Sequence, residues 1–245
     1  GYAELFGGKL LNNEIGLFLV DRVQDNNYPQ CKAMFADFFI DESYRSGETQ
    51  PVLVKLDDTE RFFASNCTFT DWREDCTLPA CSGRAIGVQS LESSPRIIFS
   101  HFGHLDKGVY ASALTLENGS VKLENCNFEN NRAAAVFDEI SAFVVEDSRF
   151  LISGDLNTEE PGMAVTGLQV IGATEGMQVR SNEFLLVKGP NNEDFVGTFT
   201  GTRCQSTGEG LGNEIIFNNY GFVYQGNVAE GMNGNTQNGL VYRCN

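Results

Sequence analysis

Trp72 is the only tryptophan in the sequence, and it stands in Thr70-Asp71-Trp72-Arg73-Glu74-Asp75, beside carboxylates. An indole on a loop with acids next to it suits stacking on a sugar ring, which makes Trp72, Asp71 and Asp75 candidate binding residues. The alternative is that Trp72 anchors its loop to the scaffold. A second chemistry is suggested by Asp57-Asp58, with His101 as a third member. Inverting glycoside hydrolysis needs two carboxyl groups about 6.5–9.5 Å apart, one acid and one base. His101 and His104 flank Phe102 in Ser100-His-Phe-Gly-His104, a place that reads more simply as surface. Neither a phosphate loop, a dinucleotide fingerprint nor a nucleophile elbow occurs.

Acidic residues gather at Asp57-Asp58, at Asp71 with Glu74 and Asp75, at Glu159-Glu160 and at Glu193-Asp194. Calcium takes about six to eight oxygen ligands, and turns rich in Asp, Asn and Glu would supply them. None of these clusters matches a defined calcium loop, so calcium is suggested as a cofactor without a ligand set. The whole chain carries 33 acidic against 17 basic residues, a formal net charge of −16. That surface repels nucleic acid, anionic membrane and acidic polysaccharide unless a cation intervenes. No apolar stretch approaches the length of a membrane-spanning helix.

These side chains need something to hold them, and the sequence supplies it as a repeat. Val121-Lys-Leu-Glu-Asn-Cys-Asn-Phe128 returns as Val145-Glu-Asp-Ser-Arg-Phe150, Val179-Arg-Ser-Asn-Glu-Phe184 and Ile215-Ile-Phe-Asn-Asn-Tyr220. Upstream it returns as Ile97–Phe102, Ala64–Phe69, Met34–Phe39 and, more loosely, Leu10–Ile15. The eight copies end at residues 15, 39, 69, 102, 128, 150, 184 and 220. Between them lie short runs of Val, Leu and Phe bounded by Gly, Asn, Asp and Ser, which read as strands. Ala133-Ala-Ala-Val136 leans toward helix by composition but occupies a strand slot.

Self-similarity at about 20–50 residues marks a solenoid or propeller. Some of these periods are too short for a four-stranded blade, whereas three short strands and a few turns fill one coil of a parallel β-helix. A β-sandwich would not hold the constant offset of five between the first apolar residue and the aromatic. The fold predicted is therefore all-β, a single right-handed parallel β-helix of about eight coils with loop insertions, occupying residues 1–245. Equivalent residues stack roughly 4.8 Å apart in such a coil. The expected aromatic column is Phe39, Phe69, Phe102, Phe128, Phe150, Phe184 and Tyr220. The expected ladder at a tight bend is Asn13, Asp37, Cys67, Ser100, Cys126, Ser148, Asn182 and Asn218. Asn and Asp suit such a bend because they tolerate the left-handed backbone.

Insertions are expected at Asp21–Gln30, Asp41–Gln50, Thr70–Gly83, Gly154–Pro161, Gly189–Asp194 and Thr200–Asn213. Two disulfides are expected: Cys76–Cys81 within one insertion, and Cys204–Cys244, because Arg203-Cys204 and Arg243-Cys244 look like matching places in adjacent repeats. Cys67 and Cys126 are read as buried ladder thiols. Neither end of the chain reads as a polar cap, so the expectation is a segment of a longer polypeptide.

The repeat figure resembles right-handed parallel β-helix repeats of the pectate-lyase-like kind. The closing Asn238-Gly-Leu-Val-Tyr-Arg-Cys-Asn245 is similar to repeats in large secreted and cell-surface proteins of Gram-negative bacteria. The resemblance implies an extracellular structural or adhesive element: a rod, filament or hook-like assembly. Its partners would be other segments or copies of the same protein, or a cell-surface glycan, with neither nucleic acid nor membrane insertion. It also admits a polysaccharide lyase or glycoside hydrolase, or a passive glycan-binding module using Trp72. Polygalacturonases, as enzymes on a β-helix, follow an Asp-Asp pair with His-Gly and Arg-x-Lys elements. Here Ser100–His104 is a poor match to the first, and the second is missing.

Overall fold

Short Val- and Phe-rich runs cannot bury both faces alone, so each pairs with its equivalent one repeat away. In the computed structural model, which describes residues 3–22, 31–44, 49–73, 83–113, 120–154, 163–173, 175–208 and 210–243, this gives three parallel sheets of nine, eight and eight strands. The first runs from Glu4–Phe6 to Val241–Arg243, the second from Lys9–Leu11 to Asn219–Gly221, and the third from Ile15–Arg22 to Gln225–Glu230. Every third strand in the sequence is a neighbour in space, which is a parallel β-helix. Ala133–Asp138 is a strand of the third sheet, where neighbouring coils outweigh alanine's helix propensity.

The offset of five is the distance from an inward residue of the first sheet to an inward residue of the second. Leu5, Ala33, Ala64, Ile97, Leu123, Val145, Val179 and Ile215 are in register. Five residues later Leu10, Phe38, Phe69, Phe102, Phe128, Phe150, Phe184 and Tyr220 are in register too. From Phe38 to Tyr220 the rings stack nearly parallel, with centroids 4.5–5.1 Å apart. That spacing is the strand separation, so the coil pitch and the ring stack enforce one another.

The first two coils sit differently from expectation. Phe38, not Phe39, joins the stack. Phe39 points outward, with the Lys9 ammonium 5.8 Å from its ring centre. In the first coil Leu10 takes the column place, and Ile15 begins the next sheet. Because side chains alternate along a strand, a slip of one residue turns the whole strand over, and two adjacent phenylalanines left the choice open.

The ladder moves with them. Thr68 N–H bonds to the carbonyl of Ala36, so Ala36 holds the ladder place while Asp37 already belongs to the strand Asp37–Ile40. Asn13 lies at a different bend, where its amide donates to its neighbour's carbonyl at Leu11. From Cys67 onward the side-chain acceptor of one coil takes the backbone N–H of the coil before. Ser100 Oγ accepts from Cys67, Ser148 Oγ from Cys126, Asn182 Oδ1 from Ser148 and Asn218 Oδ1 from Asn182, at 2.9–3.2 Å. The left-handed residue is the one before the ladder: Asn66, Phe99, Asn125, Asp147, Ser181 and Phe217 all have φ near +50°.

Thr200–Asn213 is not an insertion at its start, since Thr198–Gln205 is a full strand between Ala164–Ile171 and Gln225–Glu230. That placement also removes the Cys204–Cys244 disulfide. Cys204 is a free, buried thiol in the third sheet, opposite Val170 and Ala229, whereas Arg243 ends a strand of the first sheet opposite Ile216. Cys244, Cys76 and Cys81 lie outside the described residues. Burial pushes the thiols of Cys126 and Cys204 up to about 12, so both stay protonated and unreactive.

Candidate functional site

Two bends frame the strands Thr68–Asp71 and His101–Gly103 of the second sheet, and each holds an aromatic ring in solvent. At the C-terminal bend Trp72 is 55% exposed, and its indole lies tilted against the His104 imidazole at 4.9 Å. Arg84 ties this bend together by donating to the carbonyls of Asp71 and His104, at 2.8 and 3.1 Å.

Asp71 itself is turned away from any ligand. Its carboxylate is fully buried and accepts from Arg73 N–H, Nε and Nη2 and from Ala85 N–H, at 2.5–3.2 Å. A buried carboxylate needs that many donors to offset its desolvation. Asp75 lies outside the described residues, as do Glu74, Glu159 and Glu160. Trp72 is thus the one candidate binding residue of the sequence reading that the structure presents to solvent. Glu193 has one buried carboxylate oxygen without a hydrogen bond, and the neighbouring Asp194 pairs with Lys188.

The hydrolase candidates are not brought together. Asp57 and Asp58 close a strand of the third sheet, with Asp58 at a left-handed bend, while His101 opens a strand of the second. Among the described residues no group of three or more His, Cys, Asp and Glu side chains is placed to hold a metal ion.

Beside His101 and the ladder residues Cys67 and Ser100, the N-terminal bend carries residues that the sequence does not single out. Asn66, Thr68, Phe99, His101, Asn125 and Asn127 surround an open groove of about 380 Å³, floored by the ladder residues Cys67 and Ser100. Phe99 sits at φ 49° and is 56% exposed, between Asn66 at 54° and Asn125 at 52°. Asn tolerates that backbone, while a bulky side chain there costs about 1–2 kcal/mol. The imidazole of His101 lies along its strand over Gly103, where a Cβ would come within 3.0 Å of Nε2. Its Nδ1 is 3.1 Å from Asn127 Nδ2, which donates, so the ring proton is placed on Nε2. Burial lowers the His101 pKa, against the opposing pull of Glu129, so the ring is neutral at pH 7. The groove is lined by amides, hydroxyls, one neutral imidazole and one phenyl ring, with no formal charge.

The site and scaffold define a class: a parallel β-helix that displays aromatic rings at its bends. No family model matches the chain, and no curated protein does. Among solved structures it is similar to the surface protein and adhesin PfbA of Streptococcus pneumoniae, at 10% identity over 94% of this chain and 92% of that one, with a TM-score of 0.34. The fold stated above rests on strand pairing and not on this likeness.

Proposed function

We propose that the chain is a structural and adhesive element of an extracellular surface protein, a stiff rod whose bends hold binding side chains at fixed spacing. The observation that carries this reading is the set of aromatic rings kept in solvent on a rigid scaffold. Phe35, Trp72, Phe99 and Phe217 are 53–61% exposed, while the rings from Phe38 to Phe184 in the stack are at most 1% exposed. Aromatic side chains held out by an ordered backbone are the usual anchors of an interface. The partner is a surface glycan or other segments or copies of the same protein.

The test is adhesion. Beads coated with the whole chain should be retained on glycan-bearing cell surfaces, and antibodies to it should label the outside of intact source cells. Labelling confined to the cell interior, with no bead retention, would sink this reading.

A further inference from the structure

We propose that the groove at Asn66, Phe99 and Asn125 is a binding site for an uncharged saccharide, one sugar ring lying on Phe99 and its hydroxyls bonded to the amides of Asn66, Asn125 and Asn127. This rests on the adhesive reading, since it names what the rod holds.

Three observations converge on that ligand. The first is the phenyl ring itself. Phe99 occupies a column in which the coils on either side place Asn, and it holds a left-handed backbone that Asn adopts more readily. Bulky residues kept in such a conformation concentrate at ligand clamps. The Phe99 ring has no ring partner among the described residues, unlike Phe35 in the same column, which packs edge-on against Phe6 at 5.5 Å. The strain is therefore spent on a ring that faces solvent.

The second is the supply of hydrogen-bonding groups around that ring. Asn66 Nδ2 donates to Ser65 Oγ and Asn127 Nδ2 to His101 Nδ1, which leaves the amide oxygens of these two lining residues as acceptors. The Asn125 amide and the Thr68 hydroxyl add donors as well as acceptors. Amides and hydroxyls flanking a flat apolar face match a pyranose, which has an apolar C–H face and a rim of hydroxyls.

The third is charge. In a chain with net charge −16, the eight residues lining the groove include no Asp, Glu, Lys or Arg. A uronic acid or phosphate would find no cation there, and a cationic ligand no carboxylate. Successive coils repeat at about 4.8 Å, so Phe35 and Phe99, two coils apart in one column, set a straight track along the rod on which a linear polymer can lie.

The experiment titrates the whole chain with cellohexaose and mannohexaose as neutral probes and with hexagalacturonate as the acidic one, by calorimetry. Its variants are Phe99→Asn and Asn125→Ala. Phe99→Asn makes this bend identical in type to those at Asn66 and Asn125, so it folds. Expected are binding of a neutral hexasaccharide, a loss of about tenfold or more in Phe99→Asn and a smaller loss in Asn125→Ala. The melting temperature of Phe99→Asn should equal or exceed that of the parent.

The proposal is overturned if hexagalacturonate is preferred, if Phe99→Asn binds as well as the parent, or if its melting temperature falls, which would make the ring a packing element. It is also overturned if neither neutral probe binds. Bead retention that persists in that case leaves the adhesive reading standing with a different ligand, whereas no retention together with labelling confined to the cell interior removes both.

Discussion

Asn182 makes more of the ladder than any thiol or hydroxyl in it. Its Oδ1 accepts from Ser148 N–H, and its Nδ2 donates both to the Val145 carbonyl and to Asn218 Oδ1. Truncation takes a partner from Ser148 N–H and from the Val145 carbonyl, each at about 1–3 kcal/mol, while Asn218 Oδ1 still accepts from Asn182 N–H. Asn182→Ala is therefore expected to lose roughly 2–4 kcal/mol in urea unfolding. Cys126→Ser should be nearly neutral by the same measurement, since Ser100 and Ser148 already fill this place and reach the same kind of carbonyl. Equal losses in the two variants would mean that the column tolerates size and not bonding. Single residues are also where the sequence was hardest to read. Phe38 and Phe39 have the same chemistry, and only the pairing with Thr68 and Phe69 decides which turns inward. A Phe beside apolar neighbours reads as core, and nothing local announces the left-handed backbone under Phe99.

At the scale of the element, the outer face of the first sheet carries a chain of ion pairs across four coils. Arg96 pairs with Glu124, Lys122 with Glu124 and Glu146, and Arg180 with Glu146, at 2.6–3.1 Å. In register, Arg96 stands beside Lys122 and Glu124 beside Glu146, like beside like, and the diagonal contacts of Arg96 with Glu124 and of Lys122 with both carboxylates offset that repulsion. Burial alone would raise the Glu146 pKa, but hydrogen bonds from Arg180 and Lys122 outweigh it and hold the carboxyl below its usual value. A depressed folded-state pKa gives stability that is present above the unfolded value, about 4.3, and is lost as pH falls through the folded one. The partners are partly exposed, so the whole effect at pH 7 is about 1 kcal/mol or less. Glu146→Gln should melt lower than the parent at pH 7, by no more than about 2–4 °C. The two curves should then converge as the pH drops below the Glu range. A gap that stays constant down to strongly acid pH would assign the loss to packing instead. Elements were the most legible level of this sequence. The constant offset of five places two of the three sheets, because it is set by one tight bend of fixed length. The third sheet follows bends and loops of varying length. That is why the sequence suggests an insertion from Thr200 and a match of Cys204 to Cys244, where the structure has the strand Thr198–Gln205.

The whole molecule sets contact pairs against long-range repulsion, and ionic strength separates the two. Eight coils at strand separation make a rod of roughly 35–40 Å. At 10 mM salt the screening length is about 30 Å, so acids at one end of the rod repel those at the other; at 150 mM it is about 8 Å, and only near neighbours interact. With 33 acidic and 17 basic residues, at least 16 carboxylates have no cation to pair with, counting one for one. The pairs in contact at 2.6–3.1 Å are screened least by the same salt, because no ion fits between the partners. Raising NaCl from 10 to 150 mM should therefore raise the melting temperature, although exposed ion pairs are individually weakened by salt. A fall over that range would mean that the ion pairs of the first sheet outweigh the net charge, and Glu146→Gln would then lose its salt dependence. A rise in both proteins assigns the effect to the acid surface as a whole.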